Sequence, residues 1–256
     1  PADPAEPSPA SRLALLPAVG VSASAFLLFA LQLAGWGHLL LALSLLGAVL
    51  VSRELAKDLA LIGIGITIVS TTSVVASVDW DRFLTIGAVL LLAVLVPAGV
   101  GRLLLRRRAI RFPLRTGEPW TRLEKGYIVA VPFLGWLILP FYFITSGVYR
   151  NWPHLADGGE VARFLAGVNF VGTWDELFFI CTCFALLRRH FGVWTANLLQ
   201  ATIFVSFLWE LGYQAWGPLL TVPFALLQGW LFARTGSLLY VLIVHLLFDV
   251  VVFLAI

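Results

Sequence analysis

The chain has 256 residues, 60% of them hydrophobic and only 12% charged, with ten tryptophans, 22 glycines and a formal net charge of +3. Soluble domains carry about 25% charged residues, so this composition leaves too little polar surface to cover a globule in water and excludes a soluble fold. The remaining solvent is lipid, where helices satisfy the backbone within each segment, and the basic excess lies in short connections between apolar runs rather than in a nucleic-acid-binding face.

Residues 1–12, PADPAEPSPASR, read as a disordered Pro/Ala tail without a signal-peptide layout. Apolar runs then predict membrane helices at about 13–34, 37–52, 58–78 and 83–105, an N-terminal four-helix region (13–105) with almost no polar chemistry inside its spans. Residues 106–125, RRRAIRFPLRTGEPWTRLEK, form a basic loop that separates this region from the C-terminal helices of 126–256. Further spans are expected at 126–146, 171–188, 193–212, 217–233 and 238–256. The connection 147–170 is expected to carry an interfacial helix over EVARFLAGVNF. The fold class is therefore an all-α polytopic bundle of eight or nine spans, without an evident internal repeat.

With nine spans, fourteen of the seventeen Lys and Arg residues fall on one side, including eight between Arg102 and Lys125; only Arg82, Arg150 and Arg163 fall on the other. The positive-inside rule makes the rich side cytoplasmic, which puts the N-terminus inside and the C-terminus outside. Cys181 and Cys183 are two apart in an apolar helix and point to different faces, so they read as packing residues rather than a disulfide or metal pair.

Charged side chains within a hydrocarbon span cost roughly 2.5–3.5 kcal/mol on insertion scales and usually face the bundle interior. Asp175 and Glu176 in GTWDELFFI, Glu210 in FLWELG, and His245 with Asp249 in LIVHLLFDV are such groups. His245 and Asp249 are four apart and share a helical face. Asp175 and Glu176 point about 100° apart, so both can line one cavity, and two close carboxylates cannot readily both carry charge in a low dielectric. Carboxylates beside a histidine suit general acid–base work on water. Asp175, Glu176 and Glu210 are expected near the outer ends of their spans. His245 and Asp249 are expected about 10 and 16 Å into theirs, so that all five reach one cavity in the outer half of the membrane.

From about residue 170 to 256 the chain resembles the CAAX protease and bacteriocin-processing family of glutamic intramembrane proteases, whose pattern is EExxxR, then FxxxH, then HxxxN or HxxxD on separate helices. DELFFI (175–180), followed by LLRRHFG, stands where the first motif belongs, and GWLFARTGSLLYVLIVHLLFD resembles the stretch that ends in the third, with Arg234, Thr235, Gly236, Ser237 and Leu238 before His245 and Asp249. The departures are Asp175 for the first glutamate, Ile180 for the arginine, and Ser206 and Glu210 where Phe and His of the second motif are expected. The resemblance implies a metal-free and cofactor-free endopeptidase in which Asp175 and Glu176, with a histidine, activate water, while His245 and Asp249 hold that water or stabilise the oxyanion.

The implied partners are the lipid bilayer and a protein substrate with a membrane-associated segment. The implied location is the bacterial inner membrane, with an extracytoplasmic site suited to exported proteins, as in the myxosortase-type members that act in C-terminal sorting. Two other functions fit the same residues: a non-catalytic protein of this fold, such as a bacteriocin-immunity or scaffold protein, and a proton-coupled transporter using the buried carboxylates as a relay.

Overall fold

A computed structural model describes residues 9–117 and 119–256. Positions 1–8 of the expected tail lie outside the described residues, and the first helix begins at Pro9. Nine helices and no strands are present among the described residues: α1 (Pro9–Ala25, continued by a π-helical turn Phe26–Ala30), α2 (Ala34–Val51), α3 (Arg53–Val69), α4 (Trp80–Gly99, continued by a π-helical turn Val100–Leu104), α5 (Arg122–Ser146), α6 (Gly158–Asp175, continued by π-helical Glu176–Phe184 and α-helical Ala185–Leu187), α7 (Val193–Leu211), α8 (Pro218–Thr235) and α9 (Leu238–Ala255). Among the described residues, six of the nine are long and apolar enough to cross a membrane: α1, α2, α4, α5, α6 and α9. The chain is an all-helical, polytopic integral membrane protein.

The other three helices also bury polar groups: Asp58 in α3, Asn197 and Gln200 in α7, and Gln228 in α8, each at most 1% exposed. A polar side chain costs least where neighbouring helices, rather than lipid, surround it. α7 accordingly packs against α1, α6 and α8. Its Asn197 donates to the Leu226 carbonyl (2.7 Å) and Gln200 donates to the Ala225 carbonyl (3.0 Å) of α8. Gly229 of α8 permits this approach, since a Cβ there would stand 2.0 Å from Asn197 Oδ1.

The third helix ends at Val69 rather than near 78, because Ser70 and Thr71 turn their hydroxyls back onto the carbonyls of Thr67 and Ile68. The expected break between an interfacial helix and a span starting at 171 is absent: α6 is one helix of 30 residues over Gly158–Leu187. Asp157 starts it by accepting from the Glu160 N–H at 2.8 Å, and no proline interrupts it. The free cysteines Cys181 and Cys183 are buried in its π-helical part.

Contacts distinguish the two ends of the bundle. At one end the basic loop folds back, with the Leu238 N–H donating to the Pro113 carbonyl (2.8 Å) and Arg234 pairing with Glu124 (3.2 Å). There, too, buried Asp58 gathers Arg107, Arg189 (3.0 Å) and His190 (2.7 Å). At the opposite end Arg163 donates to the Val78 carbonyl (2.9 Å), Asn151 to the Gly212 carbonyl (3.0 Å), and the Val74 N–H to Glu210 (3.3 Å).

Candidate active site

The RTGSL stretch is the turn that aims α9. Gly236 caps α8 in the left-handed region (φ +60°), and Ser237 caps α9 by accepting from the Tyr240 N–H at 3.3 Å. Two turns further, His245 meets α6 where its backbone passes from α to π geometry at Glu176. Single-turn π insertions recur at functional sites because they re-aim side chains; here the π stretch spans nine residues.

Four of the five sequence-nominated residues converge there. His245 Nδ1 is 2.6 Å from Glu176 Oε1, while Nε2 is 3.6 Å from Asp175 Oδ2 and 3.8 Å from Asp249 Oδ1. The imidazole thus has one nitrogen fixed on Glu176 and the other facing two more carboxylates. All four side chains are buried, yet Asp175, His245 and Asp249 line a cavity of about 440 Å³. Asp175 Oδ1, Glu176 Oε2 and Asp249 Oδ2 have no hydrogen-bond partner among the described residues. A low-dielectric site makes unpaired acceptors of this kind costly, so their retention beside one imidazole favours a role in holding a polar reactant.

Packing fixes the ring as firmly as the hydrogen bond does. Phe224 meets the imidazole edge-on (4.9 Å, 82°) and stacks on Phe248 (4.8 Å). Phe204 of α7 lies 6.1 Å from the ring on another side. The close crossing of α6 and α9 depends on Gly172: a Cβ there would lie 1.9 Å from Asp249 Oδ2 and 3.2 Å from His245 Cδ2.

Glu210 does not join the cluster. It accepts from the Val74 backbone, tying the end of α7 to the α3–α4 connection, and the α7 residues that line the cavity are Leu208 and Leu211. Asp175 and Glu176 lie within α6 rather than at the start of a span. Because α6 begins at Gly158, Asp175 stands about 26 Å from that end and about 18 Å from Leu187, toward the middle of the helix. The cavity nevertheless runs to the end opposite the basic loop, where Val74, Ser77, Trp152 and Arg163 line it.

Gln228 is uncharged and so stands outside the set of ionisable residues in the spans. Its Nε2 donates to Glu176 Oε1 (2.7 Å) and to the Val241 carbonyl (3.2 Å), so Glu176 Oε1 has an amide and an imidazole as partners. The signal was present: an uncharged amide in PFALLQGWLF is also costly in lipid, and the reasoning applied to carboxylates extends to it. Among the described residues, no group of three or more His, Cys, Asp or Glu side chains is arranged to hold a metal ion.

No curated protein and no solved structure matches the chain. A family model described as Rce1-like, type II CAAX prenyl endopeptidase Rce1-like, matches residues 157–251, a span that starts at the cap of α6 and takes in all four clustered residues with Gln228. The C-terminal membrane segment, residues 157–251, is a domain of the Rce1-like CAAX prenyl endopeptidase family of membrane proteases.

Proposed function

We propose that the chain is a glutamic-type intramembrane endopeptidase that hydrolyses a peptide bond of a membrane-associated or exported protein. The observation that carries this reading is the 2.6 Å pairing of Glu176 with His245 Nδ1, which turns Nε2 toward Asp175 and Asp249 in an otherwise apolar cavity. In this mechanism Glu176, steadied by Gln228, orients the imidazole. Asp175 takes a proton from a water that attacks the peptide carbonyl, and Nε2–H of a protonated His245 stabilises the developing oxyanion. The proton taken up by Asp175 then passes to the leaving amine as the C–N bond breaks, giving a carboxylic acid and an amine and restoring Asp175 and the protonated His245. Asp249 holds the water opposite Asp175.

The positive-inside pattern, together with a cavity that runs away from the basic loop, supports an extracytoplasmic opening in a bacterial inner membrane, and with it exported substrates cut near a C-terminal anchor. The test is a panel of prenylated and anchor-bearing peptides in proteoliposomes, read by intact mass. Wild-type protein should cut a subset, and Glu176→Gln and His245→Ala should each lose cleavage by at least about 10³-fold with unchanged membrane expression. Wild-type rates in both variants would remove the assignment.

One observation favours a second reading, a non-catalytic protein of the same fold. α7 brings no polar side chain to the cavity: Phe204 is beside His245, Leu208 and Leu211 line the cavity, and Glu210, at the histidine position of the second motif, accepts from Val74 instead. On that reading the same variants keep function.

A further inference from the structure

The cavity that reaches the carboxylate–imidazole cluster is lined mostly by apolar side chains, and among the described residues its lining holds one arginine, Arg163, and no lysine. Arg163 is partly buried on α6, at the end of the cavity remote from the basic loop. Its Nε is committed to the Val78 carbonyl at 2.9 Å, and its guanidinium stacks over Trp80 at 4.9 Å. These contacts fix the plane of the group without neutralising it: none of the described carboxylates lies within ion-pair distance of Arg163. A guanidinium presents further N–H donors in a fork matched to a carboxylate. Arg107 is paired with Asp58 and Arg234 with Glu124, while Arg82 and Arg188, which like Arg163 bond backbone carbonyls, do not line the cavity.

Arg163 and Asp175 are twelve residues apart on one continuous helix, about 18 Å at helical rise. A polypeptide must be unwound to expose the carbonyl to be attacked, and an extended chain covers 18 Å in about five or six residues.

Building on the hydrolase reading above, we propose that Arg163 is a specificity-determining residue. It receives a carboxylate of the bound polypeptide, about five or six residues from the bond presented to the Glu176–His245 cluster, while the apolar lining takes the residues between. The carboxylate is supplied either by an acidic side chain or by the chain terminus.

The experiment measures binding separately from turnover. Dansylated Leu/Ala peptides of about sixteen residues are titrated against Glu176→Gln protein in zwitterionic nanodiscs. One peptide carries a single Glu with an amidated C-terminus, one the Gln equivalent, and one only a free C-terminal carboxylate. A charge-assisted hydrogen bond predicts that at least one carboxylate peptide binds about ten-fold or more tighter than the Gln peptide. The ratio should fall to about one in Arg163→Ala. It should survive in Arg163→Lys, which keeps the cation but drops the bond to Val78. Which carboxylate peptide gains identifies the source.

Equal ratios with and without the arginine, loss of selectivity in the lysine variant, or no binding of any peptide would overturn the proposal. Selectivity abolished by anionic-lipid nanodiscs would assign the guanidinium to a lipid phosphate and overturn it equally. Cleavage by Glu176→Gln protein at the wild-type rate would instead remove Glu176 from the proposed mechanism and leave the binding result standing.

Discussion

Replacing Gly172 by alanine tests whether the carboxylates around His245 need their positions for chemistry or merely fill a helix crossing. The added Cβ would stand 1.9 Å from Asp249 Oδ2, and real Cβ atoms essentially never approach a neighbour within 3.0 Å. The oxygen must therefore retreat by about 1.1 Å, or α6 and α9 must part. Asp249 has only two side-chain torsions, so the retreat is met by an off-rotamer carboxylate at about 0.5–1.5 kcal/mol. Alanine recovers about 0.5–1 kcal/mol in helix propensity. The net stability change is then within about 1 kcal/mol.

A misplacement of about 1 Å at a reacting group costs on the order of 10²-fold in rate, equivalent to about 2.7 kcal/mol of barrier. Gly172→Ala should thus lose about 10²-fold in cleavage of a reconstituted substrate, while its detergent-solubilised thermal midpoint moves by only a few degrees. In an Asp249→Ala background the alanine at 172 should cause little further loss, because the atom it displaces is gone. Wild-type turnover in Gly172→Ala, or losses that simply add in the double variant, would refute this account of the crossing.

Gln228→Leu removes the amide that donates to Glu176 at 2.7 Å. It should cut turnover by about 10–10²-fold, seen chiefly in kcat, with Gln228→Asn less impaired than leucine. Asp58→Ala leaves Arg107, Arg189 and His190 facing one another without their shared carboxylate. Because Asp58 is buried but Arg189 is largely exposed, the loss should be about 2–4 kcal/mol, checked by thermal unfolding in detergent, with little change in turnover per folded molecule. Glu210→Gln should leave cleavage within about two-fold, since the carboxylate accepts from the Val74 backbone and does not itself line the cavity; an inactive but folded Glu210→Gln would restore it to the site.

The fold was legible because lipid enforces simple rules: nine apolar runs become nine helices, and the basic loop lies where the hydropathy breaks. The site was legible where side chains are both costly in lipid and spaced to share a face, which is why His245 with Asp249, and the 175–176 pair, were found. Glu210 satisfied the cost criterion alone. Its depth near a helix end allows either a cavity or a loop contact, and periodicity does not say which way the end of α7 turns. Asp58 was hidden for a related reason, since a carboxylate at a span boundary reads as solvated until Arg107, Arg189 and His190, remote in sequence, are seen around it. Gly172 carries no signal in one sequence, because its function is the absence of an atom.

The polar residues missed and found fall into one pattern. Asn197 and Gln200 bond α7 to carbonyls of α8, Gln228 bonds α8 to α9 and to Glu176, and His245 bonds α9 to α6. Each bond replaces a hydrogen bond that water would otherwise supply, and none can be surrendered cheaply inside a bilayer. The C-terminal helices are therefore registered against one another by directional contacts, where apolar packing alone would tolerate sliding by a turn. A cluster in which Nε2 of His245 must stay between two carboxylates at 3.6 and 3.8 Å needs that registration. The N-terminal helices, which pack mainly through aliphatic and small side chains, need no comparable ladder: α4 and the α3–α4 connection wall the cavity, and α3 steadies the basic end through Asp58.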